Sequence, residues 1–483
     1  MQVAKHSVVA VARLVVAGTI IAFSSPRLAR GQFPAASASA IDTLYSAYAH
    51  SGSPGCAVGV YQNGNVAFAR GYGFANLTHD VPITPATRFT VGSVSKQFTA
   101  ASIALLVRAG RIGLDDDVRK YIPELPAYDT PIRVRHLVHH TSGLRDFWEL
   151  VGLAGMRYDD GYATADMLGL AARQKALNFI PGAEYRYSNT GYLALGVIVQ
   201  RVAGQSLRRF ADSALFAPLG MRETFFLDDH SEVVTGRASA YSPTGRGWKV
   251  DVWNNDLVGQ GGIVTTLADL QRWDENFYSA QLGGREFIEL LQSTEPFTSG
   301  GTNDYAFGLT IQSYRGQRLV QHTGSTGGYR AALYRFPASH TSVAMLCNAS
   351  TVNTGTLALR IADIVLRESL GPTSPVVAGG PRARRPGSGS PRPAEHAAIV
   401  GRYASTELND AVWEITAGDG NSPLQLRRPR AAVTTLAPTD SAYQYTDSSG
   451  LVLQFDLPVR GRTLGFHLDG NRVSKIQFTR VKP

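Results

Sequence analysis

Two sets of strand-like runs, separated by a long helical stretch, constrain the fold more than any other feature of this chain. Residues 56–73, "CAVGVYQNGNVAFARGYG", read as two strands joined by Asn63-Gly64, a dipeptide suited to a type I′ hairpin turn. From about residue 97 to 290 the apolar spacing is helical, as in "FTAASIALLVRAG", "TADMLGLAARQKAL", "GYLALGVIVQRVAG" and "TLADLQRWDENF". Strands return at "QRLVQHTG", "YRAALYRF" and "TSVAMLCN", and a helix, "TLALRIADIVLRESLG", follows with Gly371 as its expected stop. Such an order folds sensibly if the first hairpin joins the late strands in one antiparallel sheet. The expected class is α/β (α+β), with helices flanking the sheet, an all-helical lobe beside it and a groove between the two.

Composition changes at both ends of this unit. Residues 1–31 carry basic Lys5 and Arg13, an apolar run "LVVAGTIIAF" and small residues before Gly31, the pattern of a secretory signal. The run is short for a membrane span, so no integral span is expected after cleavage; the alternative is an uncleaved anchor. The expected location is secreted or periplasmic. Residues 32–371 form the main domain. Residues 372–395, rich in Pro, Gly, Ser and Arg, read as a linker. Residues 396–483 hold short alternating runs such as "VWEIT", "LVLQFDL" and "VSKIQFTRV", the pattern of a small all-β barrel.

The net charge of +9 does not point to nucleic acid. Lys5, Arg13, Arg27 and Arg30 place four charges in the signal, and the linker arginines less Glu395 add three. Two remain for the rest, with no basic stripe to track a phosphate backbone. Cys56 and Cys347 lie in apolar runs and are expected as buried, unpaired thiols, with a disulfide as the alternative that export would permit.

Three short motifs carry the chemistry. Ser93-Val94-Ser95-Lys96 opens a helix, where residues three apart share a face. A partly desolvated Lys96 amine can then take the Ser93 proton. Tyr187-Ser188-Asn189 offers a phenol, partly ionised beside a lysine, as proton shuttle, and an amide to hold Lys96 or a substrate. His322-Thr323-Gly324 closes a strand whose edge a peptide could extend. Apart from one another, the second and third motifs read as a capped helix start and a Gly-rich turn.

In this order the motifs resemble those of the penicillin-recognising serine hydrolases: class C β-lactamases, serine D-Ala-D-Ala carboxypeptidases, D-aminopeptidases and family VIII esterases. "RFTVGSVSKQFTA", "LVHHTSGL" and "GGIVTTLADLQRW" are similar to family segments, and the resemblance covers roughly residues 40–370. It implies a β-lactamase-like fold and an acyl-enzyme on Ser93, with Lys96 and Tyr187 moving protons. Asn189, His322, Thr323 and Gly324 would bind substrate, and the backbone N–H groups of Ser93 and Ser325 would form the oxyanion hole. It implies no cofactor or metal, and small amides, esters, short peptides or cell-wall peptide as partners. The C-terminal unit resembles appended lipocalin-like domains, with a lid or an anchor to substrate as its functional reading and a packing or solubility module as the bland one.

Several residues depart from that pattern or stay ambiguous. His322 stands where most β-lactamases have Lys; as a cation it would raise KM for carboxylate substrates between about pH 6 and 8 as it lost its proton. "TELN" at Thr406–Asn409 looks like a fragment of a class A motif but lies in the second domain and is read as coincidence. His139 and His140 are read as structural, without metal-ligand spacing. Trp148, Tyr158 and Tyr162 wall the pocket or fill the lobe. The alternative to catalysis is a receptor acylated at Ser93 that senses β-lactam or peptidoglycan. A non-catalytic wall-binding protein would leave the ordered motifs unexplained.

Overall fold

The computed structural model describes residues 33–372 and 393–482, apart from 49, 51, 252 and 418–422. The expected signal, 1–31, and linker residues 373–392 lie outside the described residues.

The first hairpin, β1 (Cys56–Gln62) and β2 (Asn65–Tyr72), turns at Asn63 (φ 49°) and Gly64 (φ 75°), both left-handed as a type I′ turn requires. The late strands are β3 (Thr310–Tyr314), β4 (Gln317–Thr326), β5 (Tyr329–Phe336) and β6 (Thr341–Cys347). One antiparallel sheet forms in the order β3-β4-β5-β6-β1-β2, so the hairpin joins the late strands through β1 and β6. β1 is buried on both faces. Ala57 and Tyr61 pack toward the helical lobe. Cys56, Val58 and Val60 pack toward the helices Ala35–Leu44 and Thr354–Val365.

The β1–β6 register sets Cys56 opposite Cys347, and the two are joined by a disulfide with Cα atoms 4.0 Å apart. This corrects the expectation of unpaired thiols. Directly opposed residues on neighbouring strands lie within disulfide reach, and that register is invisible across 291 residues of separation. The terminal helix also ends earlier than Gly371, at Val365. Beyond it Gly371 N–H donates to Arg315 O, and Gln317 Nε2 donates to Ser369 O, so bonds to the β3–β4 turn replace further helix.

The centre of the lobe is α1 (Lys96–Arg108) and α2 (Asn189–Ala203). α2 starts at the Ser188 cap and ends at Gly204 in the left-handed region, and Asn189 through Val199 are all buried, as suits a helix enclosed by others.

Eight strands between Gly401 and Arg480 form a closed barrel, sealed by pairing of the first, Gly401–Ser405, with the last, Ile476–Arg480. Trp413, Phe455, Phe466 and Phe478 fill its interior. The barrel shares one apolar cluster with Phe147, Leu150 and Leu153 of the lobe, and Trp413 Nε1 donates to Leu153 O at 3.1 Å. Glu407, in the stretch read as coincidence, is the polar bolt of this seam. Its side chain is 1% exposed, pairs with fully buried Arg145 at 2.5 Å and accepts from the N–H groups of Lys175 and Gln477.

Candidate active site

Ser93 lies in a tight 3₁₀ turn, Gly92–Ser95, that runs straight into α1. With three residues per turn, positions i and i+3 eclipse, and Lys96 Nζ comes to 3.2 Å from Ser93 Oγ. Lys96 is fully buried. Its Nζ also lies 2.9 Å from Asn189 Oδ1 and 2.6 Å from Gln260 O, both neutral acceptors. Burial drives its pKa well down; the nearby Asp146 carboxylate opposes this and Arg472 adds to it. A neutral amine has two N–H groups and one lone pair. Asn189 and Gln260 take the two hydrogens, and the lone pair remains for the Ser93 hydroxyl to donate into.

Asn189 is held in turn by Asp146, whose Oδ2 accepts from its backbone N–H at 2.7 Å and its Nδ2 at 2.8 Å. Tyr187 stands beside this chain. Its ring centroid is 4.8 Å from Lys96 Nζ and 4.3 Å from the His140 ring. Burial raises its pKa far above the ordinary phenol value, and the neighbouring Ser93 hydroxyl only tempers the shift. The expectation of a partly ionised phenol is corrected on that ground: Tyr187 keeps its proton, and among the described residues its hydroxyl has no partner of hydrogen-bond geometry. His140 fixes the loop before it, accepting the Ser188 N–H at Nδ1 (3.1 Å) and the Arg186 N–H at its carbonyl (3.0 Å).

His322, Thr323 and Gly324 lie within β4 rather than after it. β3 pairs with β4 only as far as Gln321, so the edge from His322 to Thr326 is free on that side. Gly324 is required here: a Cβ would meet Val91 O at 1.9 Å. The same crossing brings Ser325 against the Ser93 turn, where a Cβ on Gly92 would lie 2.6 Å from Ser325 N. His322 is buried: its Nδ1 donates to Thr323 O, and its Nε2 accepts from the Tyr305 hydroxyl at 2.9 Å. Burial, reinforced by Lys96, lowers its pKa to about 3. The expected titration between pH 6 and 8 is therefore corrected: His322 stays neutral there.

These groups border one cavity of about 1300 Å³, lined by Ser93, Tyr187, Asn189, Thr323 and Ser325. Trp148 and Tyr158 wall it, joined by Trp253, whereas Tyr162 is buried in the lobe–barrel cluster. At the rim, His230 lines the cavity and stands with exposed Asp229 and half-buried Asp256, the one group among the described residues with ligand atoms near enough for a metal.

A protein-family model described as Beta-lactamase matches residues 41–366. The chain belongs to the Beta-lactamase family. It is similar to the D-aminopeptidase of Brucella canis, 28% identical over 324 residues, which are 67% of this chain and 61% of that protein. The chain thus spans about six-tenths of that relative's length. Its structure is similar to that of the octameric penicillin-binding protein homologue from Pyrococcus abyssi (TM-score 0.61, 23% identity, covering 92% of this chain and 99% of the other). It is also similar to D-amino acid amidase from Ochrobactrum anthropi SV3 complexed with L-phenylalanine amide (TM-score 0.57, 22% identity, covering 69% and 98%). At these identities the structural likeness concerns the fold.

For a Beta-lactamase family member, the residues that sequence reading missed are instructive. Asp146, Gln260 and Arg472 complete the surroundings of Ser93, yet none sits in a recognisable motif. Gln260 acts through its backbone, and Arg472 comes from the barrel, far along the chain. Asp146 alone carried a signal, as an N-cap before an apolar helical run: it accepts the Trp148 and Glu149 N–H groups.

Proposed function

We propose that the protein is an exported serine hydrolase that forms an acyl-enzyme on Ser93 from amides and short peptides of D-amino acids, with small esters as further acyl donors. One observation carries the reading: a fully buried lysine, with no carboxylate at its amine among the described residues, 3.2 Å from a serine hydroxyl. The name of the relative, D-aminopeptidase, supports the substrate class. The N-terminal pattern and the Cys56–Cys347 disulfide support export to the periplasm or beyond. No helix among the described residues is long and apolar enough to cross a membrane.

In this mechanism Lys96 takes the Ser93 proton as Oγ bonds to the acyl carbon. The backbone N–H groups of Ser93 and Ser325 stabilise the oxyanion. The C–N bond breaks as the leaving nitrogen receives a proton from Tyr187, which Lys96 reprotonates. Water then repeats the sequence in reverse roles. A receptor that merely retains its acyl group has less need of a proton donor and a base beside the ester, and both stand next to Ser93. The trio at the rim is not required by any step.

The test is hydrolysis of paired D- and L-amino acid p-nitroanilides by the mature protein and its Ser93→Ala variant. Turnover of the D substrate, lost by at least about a thousandfold in the variant, is expected. Equal rates for wild type and variant would overturn the nucleophile. A preference for the L substrate would overturn the substrate class.

A further inference from the structure

The barrel reaches into the cavity through Arg472, which lines it. The loop that carries this residue is held by its backbone at several points. Glu149 accepts the N–H groups of Asn471 (2.9 Å) and Arg472 (2.5 Å). Arg472 O accepts from Asp146 N–H at 3.3 Å and Asn178 Nδ2 at 3.0 Å, and Arg145 Nε donates to Ser474 O at 2.9 Å. A Cβ at Gly470 would sit 2.3 Å from Glu149 Oε1, so a side chain there would displace the carboxylate that holds the loop.

The side chain is treated in the opposite way. Among the described residues its guanidinium makes no hydrogen bond. Its nearest carboxylate, Asp146, is 3.7 Å away, and both of that carboxylate's oxygens already accept from Asn189, Trp148 and Glu149. The guanidinium instead lies 4.8 Å from the centroid of the Tyr187 ring and is 38% exposed in the cavity. A rigid loop thus presents, beside the catalytic phenol, a guanidinium that faces Asp146 at 3.7 Å but makes no hydrogen bond among the described residues. A carboxylate is the group that matches this planar fork with two parallel bonds.

Which part of the substrate carries it follows from proton transfer. Tyr187 protonates the leaving nitrogen, so the leaving group lies over Tyr187 and next to Arg472. Resting on the serine-hydrolase reading above, we propose that Arg472 binds the carboxylate of the leaving group. The barrel then selects peptides cleaved at a free C-terminal residue over primary amides.

The experiment compares an N-acyl-D-alanyl-D-alanine with its C-terminal amide, as the ratio of kcat/KM. Wild type should favour the free acid by about tenfold to a hundredfold, the range of a charge-assisted hydrogen bond. In Arg472→Gln the ratio should fall toward one, whatever the absolute rates. Arg472→Lys should keep part of it, and Glu149→Ala, which loosens the loop, should lose part. Melting temperatures and Ser93 labelling by a fluorescent penicillin verify that each variant is folded. No preference in wild type, or an undiminished one in Arg472→Gln, overturns the inference. Cleavage of D-amino acid amides without cleavage of either dipeptide also overturns it but leaves the serine hydrolase standing. Absence of any acylation at Ser93 overturns both.

Discussion

The lobe–barrel seam and the floor of the cavity each bury a basic side chain, and they handle it in opposite ways. At the seam, Arg145 meets the equally buried Glu407 carboxylate at 2.5 Å, and Glu407 accepts two backbone N–H groups besides. At the floor, Lys96 meets an amide oxygen, a peptide carbonyl and a hydroxyl, with the Asp146 carboxylate held off behind Asn189. A buried charge with its counter-charge is a structural joint. A buried amine denied one is pushed to its neutral, basic form. The difference separates what holds this molecule together from what it does.

The sharpest way to break the comparison is Lys96→Met. Removing the base should lower kcat/KM by about a thousandfold or more, while the melting temperature holds or rises, because a desolvated amine is replaced by an apolar chain of similar length. A large fall in stability would mean Lys96 is a joint after all. The seam should answer in reverse. Glu407→Ala leaves Arg145 charged and buried without its partner, at a cost of about 3–5 kcal/mol. Denaturant unfolding followed by Trp fluorescence should detect it. Unchanged stability would contradict the structural role of the pair.

A smaller effect tests a third buried base, His322. Its pKa is lowered from 6.5 to about 3, so below pH 6.5 the unfolded chain binds a proton that the folded chain refuses. Stability contributed by this group should rise with pH between about 3 and 6.5 and be flat above. Between pH 7 and 5 the loss should be about 2 kcal/mol, and it should be absent in a folded His322→Gln variant. KM for carboxylate substrates should show no step from His322 between pH 6 and 8. A step that disappears in that variant would restore its cationic role.

How much of this was legible in the sequence depends on distance along the chain. The type I′ turn at Asn63-Gly64 is set by local chemistry and was readable; a helix start at Tyr187-Ser188-Asn189 was readable too, but the sequence offered Asn189 as its cap where Ser188 takes that role. That the first hairpin joins the late strands in one antiparallel sheet followed from the alternation of strand and helix runs; the strand order did not. Ser93 and Lys96 belong to one turn, so their proximity needed no tertiary information. What escaped was set by register and docking. Cys56 and Cys347 become partners only because β1 and β6 pair in one register. Glu407 and Arg472 acquire their roles only when the barrel docks on the lobe. The pKa of His322 and the protonation of Tyr187 depend on burial, which no spacing rule reports.

The central claim is that Ser93 carries a covalent acyl group that turns over. The direct measurement is intact mass of the mature protein, quenched at intervals after mixing with a fluorescent penicillin, with peptide mapping of the adduct. The account predicts an adduct on the peptide containing Ser93 that forms, then clears, and that is absent in Ser93→Ala. An adduct on another residue, or one on Ser93 that never clears while D-amino acid amides also go unhydrolysed, would contradict it.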